Sequence, residues 1–339
     1  MKKAAGPTLA DVARMAGVST ASISRALNDP DKVAKPTRER IEQAIDTLGY
    51  TPNFGGRALA SNRTNTVGAI IPSMANAMFA SGVQAFQEVL DEAGVTLLLA
   101  TTAYDPDHEL RQIKALVAHG AGGLLLIGDT RPRETREFLI KRRVPYVLSW
   151  CYRPDPKQLF VGFDNRLAAR EATRRVLELG HRNLAMISGL HPGNDRAQDR
   201  SDGVVEAVTS FGQGARLHPV VQVSYRLEFG GDAFTRLMAA DAPPTAIMCG
   251  NDVLAAGAMK RAKEMGIDVP AQVSIVGFDD IGVASVVTPQ LATVRVPQIE
   301  MGRTAARMLL GRIAGDADLQ SVRLPTEFIP RGSLAAPSG

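Results

Sequence analysis

Two cysteines in 339 residues, Cys151 and Cys249, are too few and too far apart for a disulfide scaffold or a thiolate metal site, so two reduced thiols are expected. The five histidines, at 108, 119, 181, 191 and 218, assemble no Ser-His-acid or metal cluster, and His181, in LGHRNL before a strand-like run, reads as structural. No apolar run approaches the roughly 20 residues a bilayer requires. The opening MKKAAGPTLADVARMAG has two lysines but no apolar stretch behind them, so no secretory signal is expected. Also missing are a G-x-G-x-x-G after a strand, a P-loop, G-x-S-x-G and H-E-x-x-H. These absences point away from enzymes, membrane proteins and secreted binding proteins. They leave a cytoplasmic, two- or three-part globular chain with no catalytic residue, cofactor or metal assigned.

The charge is uneven. Residues 1–65 carry 10 basic against 6 acidic side chains, and the remainder is balanced, so the whole net charge of +4 sits in the first fifth of the chain. A basic segment of this kind suits a polyanion.

Residues 8–48 read as three short helices. Thr8 and Asp11 have the spacing of a capping box, and Leu9, Val12, Ala13 and Ala16 form one helical face. Gly17 supplies a left-handed stop. Ser19 starts a second helix whose inner face is Ile23, Ala26 and Leu27, and Val18 packs at its start. A third begins at Pro36, shows Ile41, Ala44, Ile45 and Leu48 inward, and closes at Gly49.

The next stretch, YTPNFGGRALASNRTNT, is rich in Gly, Asn, Ser and Thr and marks a linker. Its segment 54–60 has room for about two helical turns, and each of the adjacent Gly55 and Gly56 costs roughly 1 kcal/mol relative to alanine. From Val67 onward, apolar runs at 67–71, 95–100, 123–127, 145–149, 183–188, 245–249 and 273–278 alternate with helical stretches such as 77–93, 108–119 and 252–265. Continuous apolar strands joined by helices predict parallel sheets covered on both faces, and about 265 residues suggest two similar halves. The fold class expected is therefore an α/β core of two doubly wound parallel-sheet subdomains with an all-α headpiece. Residues 332–339 read as a frayed tail.

Helix, Gly-Val-Ser turn, helix is the pattern of a helix-turn-helix. Its second helix carries Thr20, Ala21, Ser24, Arg25 and Asn28 opposite Ile23, Ala26 and Leu27, small or polar groups suited to a major groove. Arg25 is placed to grip a guanine edge. The alternative is a plain three-helix docking domain, which the basic excess and the linker disfavour.

With DVARMAGVSTASISRALN, TRERIEQAIDTLGYTPN and RALAS, and later ELGHRNLAMISG, GNDVLAAGAMKRAKEMGIDVP and VSIVGFDDI, the chain resembles the lactose-repressor (LacI/GalR) family of bacterial regulators along its whole length. IPSMANAMF, VGFDNRLAAREAT and IEMGRTAARMLLGRI resemble its gluconate-type members. The resemblance implies a periplasmic-binding-protein-like core and a headpiece that binds double-stranded operator DNA as half of a two-fold dimer. It implies that Thr20, Ala21 and Arg25 read bases, that Thr8, Ser19, Ser24 and Asn28 touch phosphate, and that a hinge helix matching 53–60, with Asn53, Arg57 and Leu59, folds on DNA. Leu59 would wedge into the minor groove. Gly56 stands where alanine is common in the family, which predicts a loose hinge.

The expected division is 1–49 headpiece, 50–65 hinge, 66–162 with 291–321 as the N-terminal core subdomain, 163–290 with 322–330 as the C-terminal one, and 331–339 as tail. By the resemblance, the chain crosses between subdomains near 162, 290 and 322. No leucine heptad follows Leu324, so a homodimer rather than a tetramer is expected.

In open α/β sheets ligands sit beyond the carboxyl ends of strands. The residues there are polar: Ser73, Asn76, Asp129, Asp164, Asn165, Asn251, Asp252, Asp279 and Asp280. Asp164 and Asp252 are equally suited to capping the next helix. By the resemblance, Arg200 binds effector, Asn251 and Asp279 contact it, and Phe79, Trp150, Phe163 and Tyr225 line or adjoin the pocket wall. Arg200 with Arg196 nearby suggests a sugar acid or sugar as effector. A purine or other small molecule, and a sugar-binding module that does not bind DNA, stand as alternatives.

Overall fold

Thr8 caps the first helix because its side chain accepts from the Asp11 amide while the Asp11 carboxylate accepts back from the Thr8 amide, as the spacing predicts. The computed structural model describes residues 6–51, 65–155 and 157–338, apart from the Asn28 side chain, and the chain divides into two units at 64/65. In the first unit, α1 (Leu9–Ala16) ends at Gly17 with φ +66°, a conformation that penalises any Cβ. Ser19 caps α2 (Thr20–Asn28) by accepting from the Ser22 amide, and α3 (Lys35–Leu48) starts one residue before the expected Pro36. The headpiece core contains Val12, Ala13, Ala16, Ile23, Ala26, Ile41 and Ala44, with Leu9, Val18, Leu27, Ile45 and Leu48 packed around it. Val33 and Tyr50 complete it from outside the helical periodicity.

The second unit holds two parallel sheets. Its elements run β1 (Thr66–Ile71), α4 (Ala77–Glu92), β2 (Thr96–Thr101), α5 (Pro106–Ala118), β3 (Leu124–Ile127), α6 (Arg133–Arg142), β4 (Tyr146–Ser149), β5 (Phe160–Gly162), α7 (Asn165–Glu178), β6 (Asn183–Gly189), α8 (Asp195–Phe211), β7 (Arg216–Leu217) and β8 (Val221–Val223). They continue α9 (Leu227–Met238), β9 (Ala246–Cys249), α10 (Asp252–Glu264), β10 (Ser274–Val276), α11 (Val283–Val286), β11 (Thr293–Arg295), α12 (Gln298–Ala314), β12 (Val322–Arg323) and β13 (Glu327–Ile329). One sheet has strand order β12-β5-β4-β3-β1-β2. The other has β10-β9-β6-β7, with β8 also paired to β6, and β11 with β13 forms a separate antiparallel pair.

Helices cover both faces of each sheet, and for that reason the central strands are apolar end to end: β3 and β9 are wholly buried. The order of strands reverses between β1 and β3 in one sheet and between β6 and β9 in the other. Those two switch points open the crevices where α/β sheets bind ligands.

Two expected crossings move. Residues 292–295 run beside the second sheet through bridges Val276–Ala292 and Asp279–Arg295, so the return to the first subdomain falls after 295 instead of near 290. Val322–Arg323 pairs with β5 in the first sheet, and the Leu324 amide donates to the Gly162 carbonyl, so the last crossing lies beyond 324 and not at 322. The chain's end is also docked where fraying was expected. The Ser333 hydroxyl accepts from the Ala292 amide at 2.9 Å and donates to the Ile275 carbonyl at 2.6 Å. A ring nitrogen of His181 meets the Ala335 carbonyl at 2.8 Å and the other ring nitrogen meets the Thr245 hydroxyl at 2.9 Å, which gives this histidine its structural role. Small polar residues satisfy sheet-edge backbone here, a signal that hydrophobic patterning does not carry.

Ser333→Ala leaves the Ala292 amide and the Ile275 carbonyl without their buried partner. It should cost about 1–3 kcal/mol and lower the Tm by several degrees in differential scanning calorimetry.

Candidate functional site

Arg200 lies one turn and a half into α8 and is 5% exposed. A buried guanidinium needs acceptors on every side. One terminal nitrogen donates to Asn165 Oδ1 at 2.7 Å, the other to the Tyr225 hydroxyl at 2.8 Å, and the plane sits 4.9 Å from the centre of the Phe278 ring. Phe278 in turn stacks on Phe163, centroids 6.1 Å apart. Asn165 also donates to the Trp150 carbonyl at 3.0 Å, and Trp150 meets Phe79 at 5.6 Å. Gln298 of α12 donates to the Asp279 carbonyl, and a Cβ on Gly82 would strike both the Trp150 ring and the Gln298 carbonyl. The contacts thus run as one chain through residues of both subdomains, from Trp150 through Asn165, Arg200 and Phe278 to Asp279 and Gln298.

Four buried polar atoms of this region have no protein partner: Trp150 Nε1, Arg200 Nε, Asn251 Nδ2 and Asp279 Oδ1. Burial drives the Asp279 carboxyl well above its ordinary value, with Arg200 pulling the other way. Trp150 (φ +60°), Asp279 (+110°) and Tyr104 (+64°) adopt left-handed backbone at strand ends, a strain of order 1–3 kcal/mol each that clusters at functional sites. Tyr104 faces Tyr225 at 6.0 Å, and burial, with Tyr225 beside it, raises its hydroxyl above the usual range.

The cleft is bridged by the first turn of α8. Asp195 accepts from the Asp129 amide of the other subdomain at 2.6 Å and from Arg196 at 2.7 Å. Burial raises the Asp195 carboxyl, but Arg196 and the Asp129 amide outweigh it and leave it below its ordinary value. Gly128, at φ +77°, makes this contact possible: a Cβ there would lie 2.0 Å from the Arg196 guanidinium. Arg153 adds ion pairs to Asp199 at 2.9 Å and Asp129 at 3.8 Å.

The structure therefore brings Phe79, Trp150, Phe163, Arg200, Tyr225 and Asp279 into one contiguous region. Asn251 joins it through its neighbour Asp252, whose amide donates to the Phe278 carbonyl. Ser73 and Asn76 accept from the nearby Ala75 and Met78 amides. Asp164 caps α7, and the cap of α10 is Asn251, not Asp252. Asp280 is turned to Arg295 and Arg331. Tyr104, Phe278, Asp195 and Gln298 are not set apart by local periodicity; Tyr104 and Phe278 carry the one signal of lying just after β2 and β10, while Asp195 and Gln298 open helices. In the headpiece, Thr20, Ala21 and Arg25 are exposed on α2, Ser24 is half-buried, and Thr8 and Ser19 serve as caps. Asn53, Arg57, Leu59 and the Asn28 side chain lie outside the described residues. Among the described residues no group of His, Cys, Asp and Glu could hold a metal ion, and no helix is long and apolar enough to cross a membrane.

A helix-turn-helix headpiece on a two-subdomain core with a polar interdomain cleft defines the class of ligand-responsive DNA-binding regulators. Residues 8–53 match the model of bacterial regulatory proteins, lacI family, and residues 173–334 match a periplasmic binding protein-like domain. The chain is similar to the HTH-type transcriptional repressor CytR of Escherichia coli (strain K12), 32% identical over 336 residues that cover 99% of this chain and 98% of that one. Among solved structures it is similar to a LacI-family transcriptional regulator from Silicibacter pomeroyi (TM-score 0.89, 27% identity, 97% and 99% covered). It is also similar to a transcriptional regulator CelR–cellobiose complex (TM-score 0.70, 30% identity, 96% and 99% covered). The chain belongs to the lacI family of bacterial regulatory proteins, whose members act in transcription rather than catalysis.

Asp252 holds the loop that carries Asp279: it accepts from the Thr293 hydroxyl at 2.6 Å and the Ile281 amide at 2.8 Å. Burial raises its carboxyl from 3.8 to about 7. Between those values the native state keeps a proton that the unfolded chain has released, so stability falls as pH rises from about 4 to about 7. Asp252→Asn does not titrate. Urea midpoints measured across that window should show the wild type losing stability relative to this variant as pH rises, and a constant gap would refute the assignment.

Proposed function

We propose that the protein is a repressor that binds a pseudo-palindromic operator as a homodimer and alters its operator affinity when a sugar or sugar acid occupies the cleft. The observation that supports the effector reading is that four buried polar atoms without a protein partner, on Trp150, Arg200, Asn251 and Asp279, belong to the contact network that also holds Phe79, Phe163 and Tyr225 at the interface of the two subdomains. Aromatic walls with a few placed polar groups suit a sugar ring, and the cellobiose complex of a regulator 30% identical supports the same class.

In this reading Thr20, Ala21 and Arg25 read base edges. Thr8, Ser19, Ser24 and Asn28 position the headpiece on phosphates, and the hinge with Asn53, Arg57 and Leu59 enters the minor groove. The protein acts in the cytoplasm, where the operator is. Ser73 and Asn76 border the cleft as minor contacts. The effector shifts operator affinity only by its differential affinity for the two cleft conformations.

Operator selection from random DNA, with and without candidate ligands, tests the reading; indifference to every symmetric site at low salt would refute it. Arg25→Ala should weaken the selected operator roughly 10- to 100-fold, the range of one bidentate base contact, with relaxed specificity at one position of each half-site. Arg200→Ala should keep operator affinity and lose the effector response in the same gel-shift assay.

A further inference from the structure

The balanced charge of the core hides a local surplus. Residues 111–143 hold eight basic against three acidic side chains, a larger excess than the +4 of residues 1–65. At the end of this stretch Lys141 and Arg142, in the last turn of α6, and Arg143, at its C-cap, stand consecutively and exposed. Cations are favoured at a helix C-terminus, which accounts for their place but not for their lack of counter-ions. The carboxylates of α6 are taken elsewhere, Glu134 by Lys114 at 3.5 Å and Glu137 by Arg133 at 2.6 Å. Lys141, Arg142 and Arg143 have no ion-pair partner among the described residues.

Beside this triplet, α5 and α6 leave a groove of about 460 Å³ lined by Lys114, Val117, Ala118, Phe138 and Arg142. Three of the five are apolar and two are cations. Val117 and Phe138 are half-buried and Ala118 is exposed. None of the five belongs to the network around Arg200. The lining lacks the placed amides, hydroxyls and carboxylates that orient a small molecule. It is also a poor platform for a stacked base, because the Lys114 ammonium already lies over the Phe138 ring, 5.7 Å from its centre. An apolar floor edged by unpaired cations complements a segment that carries an apolar side chain between carboxylates. Aromatic and arginine side chains are also the types that dominate binding energy between proteins.

We propose that the α5–α6 groove docks an acidic amphipathic segment of a second protein, a partner separate from both operator and effector. Its apolar anchor seats against Val117, Ala118 and Phe138, and its carboxylates meet Arg142 and the adjoining Lys141 and Arg143.

The test is a display selection of random peptides of about 12 residues, the length of a three-turn helix, on the immobilised full chain, followed by fluorescence anisotropy of the enriched peptides. Enriched sequences should combine a Leu, Ile, Phe or Trp anchor with two or more Asp or Glu. Arg142→Glu and Lys141→Glu reverse charge at the groove, and Ala118→Phe fills it without changing charge. All three positions are exposed, so each variant should keep the wild-type thermal midpoint. Arg142→Glu and Ala118→Phe should each weaken an enriched peptide at least tenfold, and Lys141→Glu severalfold. Arg307→Glu, an exposed site on α12, should leave binding unchanged. Affinity for the wild type should fall as salt is raised. Enrichment of basic or uncharged peptides, no enrichment at all, equal binding by the wild type and the folded groove variants, or tighter binding of a single-stranded oligonucleotide than of any peptide overturns the proposal.

Discussion

Keeping one guanidinium out of water sets the arrangement of the core. Arg200 is held only because an amide from α7, a phenol from the loop after β8 and the face of Phe278 converge on it. Loss of any one of them leaves a buried charge under-solvated, a cost of several kcal/mol. Asn165 reaches on to the Trp150 carbonyl, so the demand of one charge fixes a tryptophan in the facing subdomain. Four of the buried polar atoms left without a protein partner lie in this same network, on Trp150, Arg200, Asn251 and Asp279.

The architecture is legible in the sequence where packing repeats. Every inner residue read for the three headpiece helices lies in or against its core, because helical periodicity reports burial directly. All seven apolar runs of the core contain a strand, and the parallel two-sheet class follows from their unbroken hydrophobicity. Short strands such as β5, β11 and β13 escape because three residues hold no period, and the crossings at the hinge fall among them.

The site is legible in kind more than in detail. Position after a strand picks out Asn251 and Asp279, and the family resemblance adds Trp150 and Arg200, yet neither says which polar atoms each spends on the protein. Arg200 is read as an open fork and in fact gives two of its donors to Asn165 and Tyr225; Asp280 looks equivalent to Asp279 and instead serves Arg295 and Arg331. Such choices depend on neighbours far away in the chain. His181 and Ser333 make the same point from the opposite side, being ordinary polar residues whose role appears only when the chain's last segment lies along the sheet edge.

The opening turn of α8 clasps the backbone of the opposite subdomain through Asp195, and the next turn carries Arg200 at the interface of the two subdomains. Recognition and clasp are therefore teeth on one rigid gear. Because the helix between them is rigid, the clasp at Asp195 and the side chain at Arg200 keep a fixed spacing, so whatever shifts one end of this turn and a half carries the other with it.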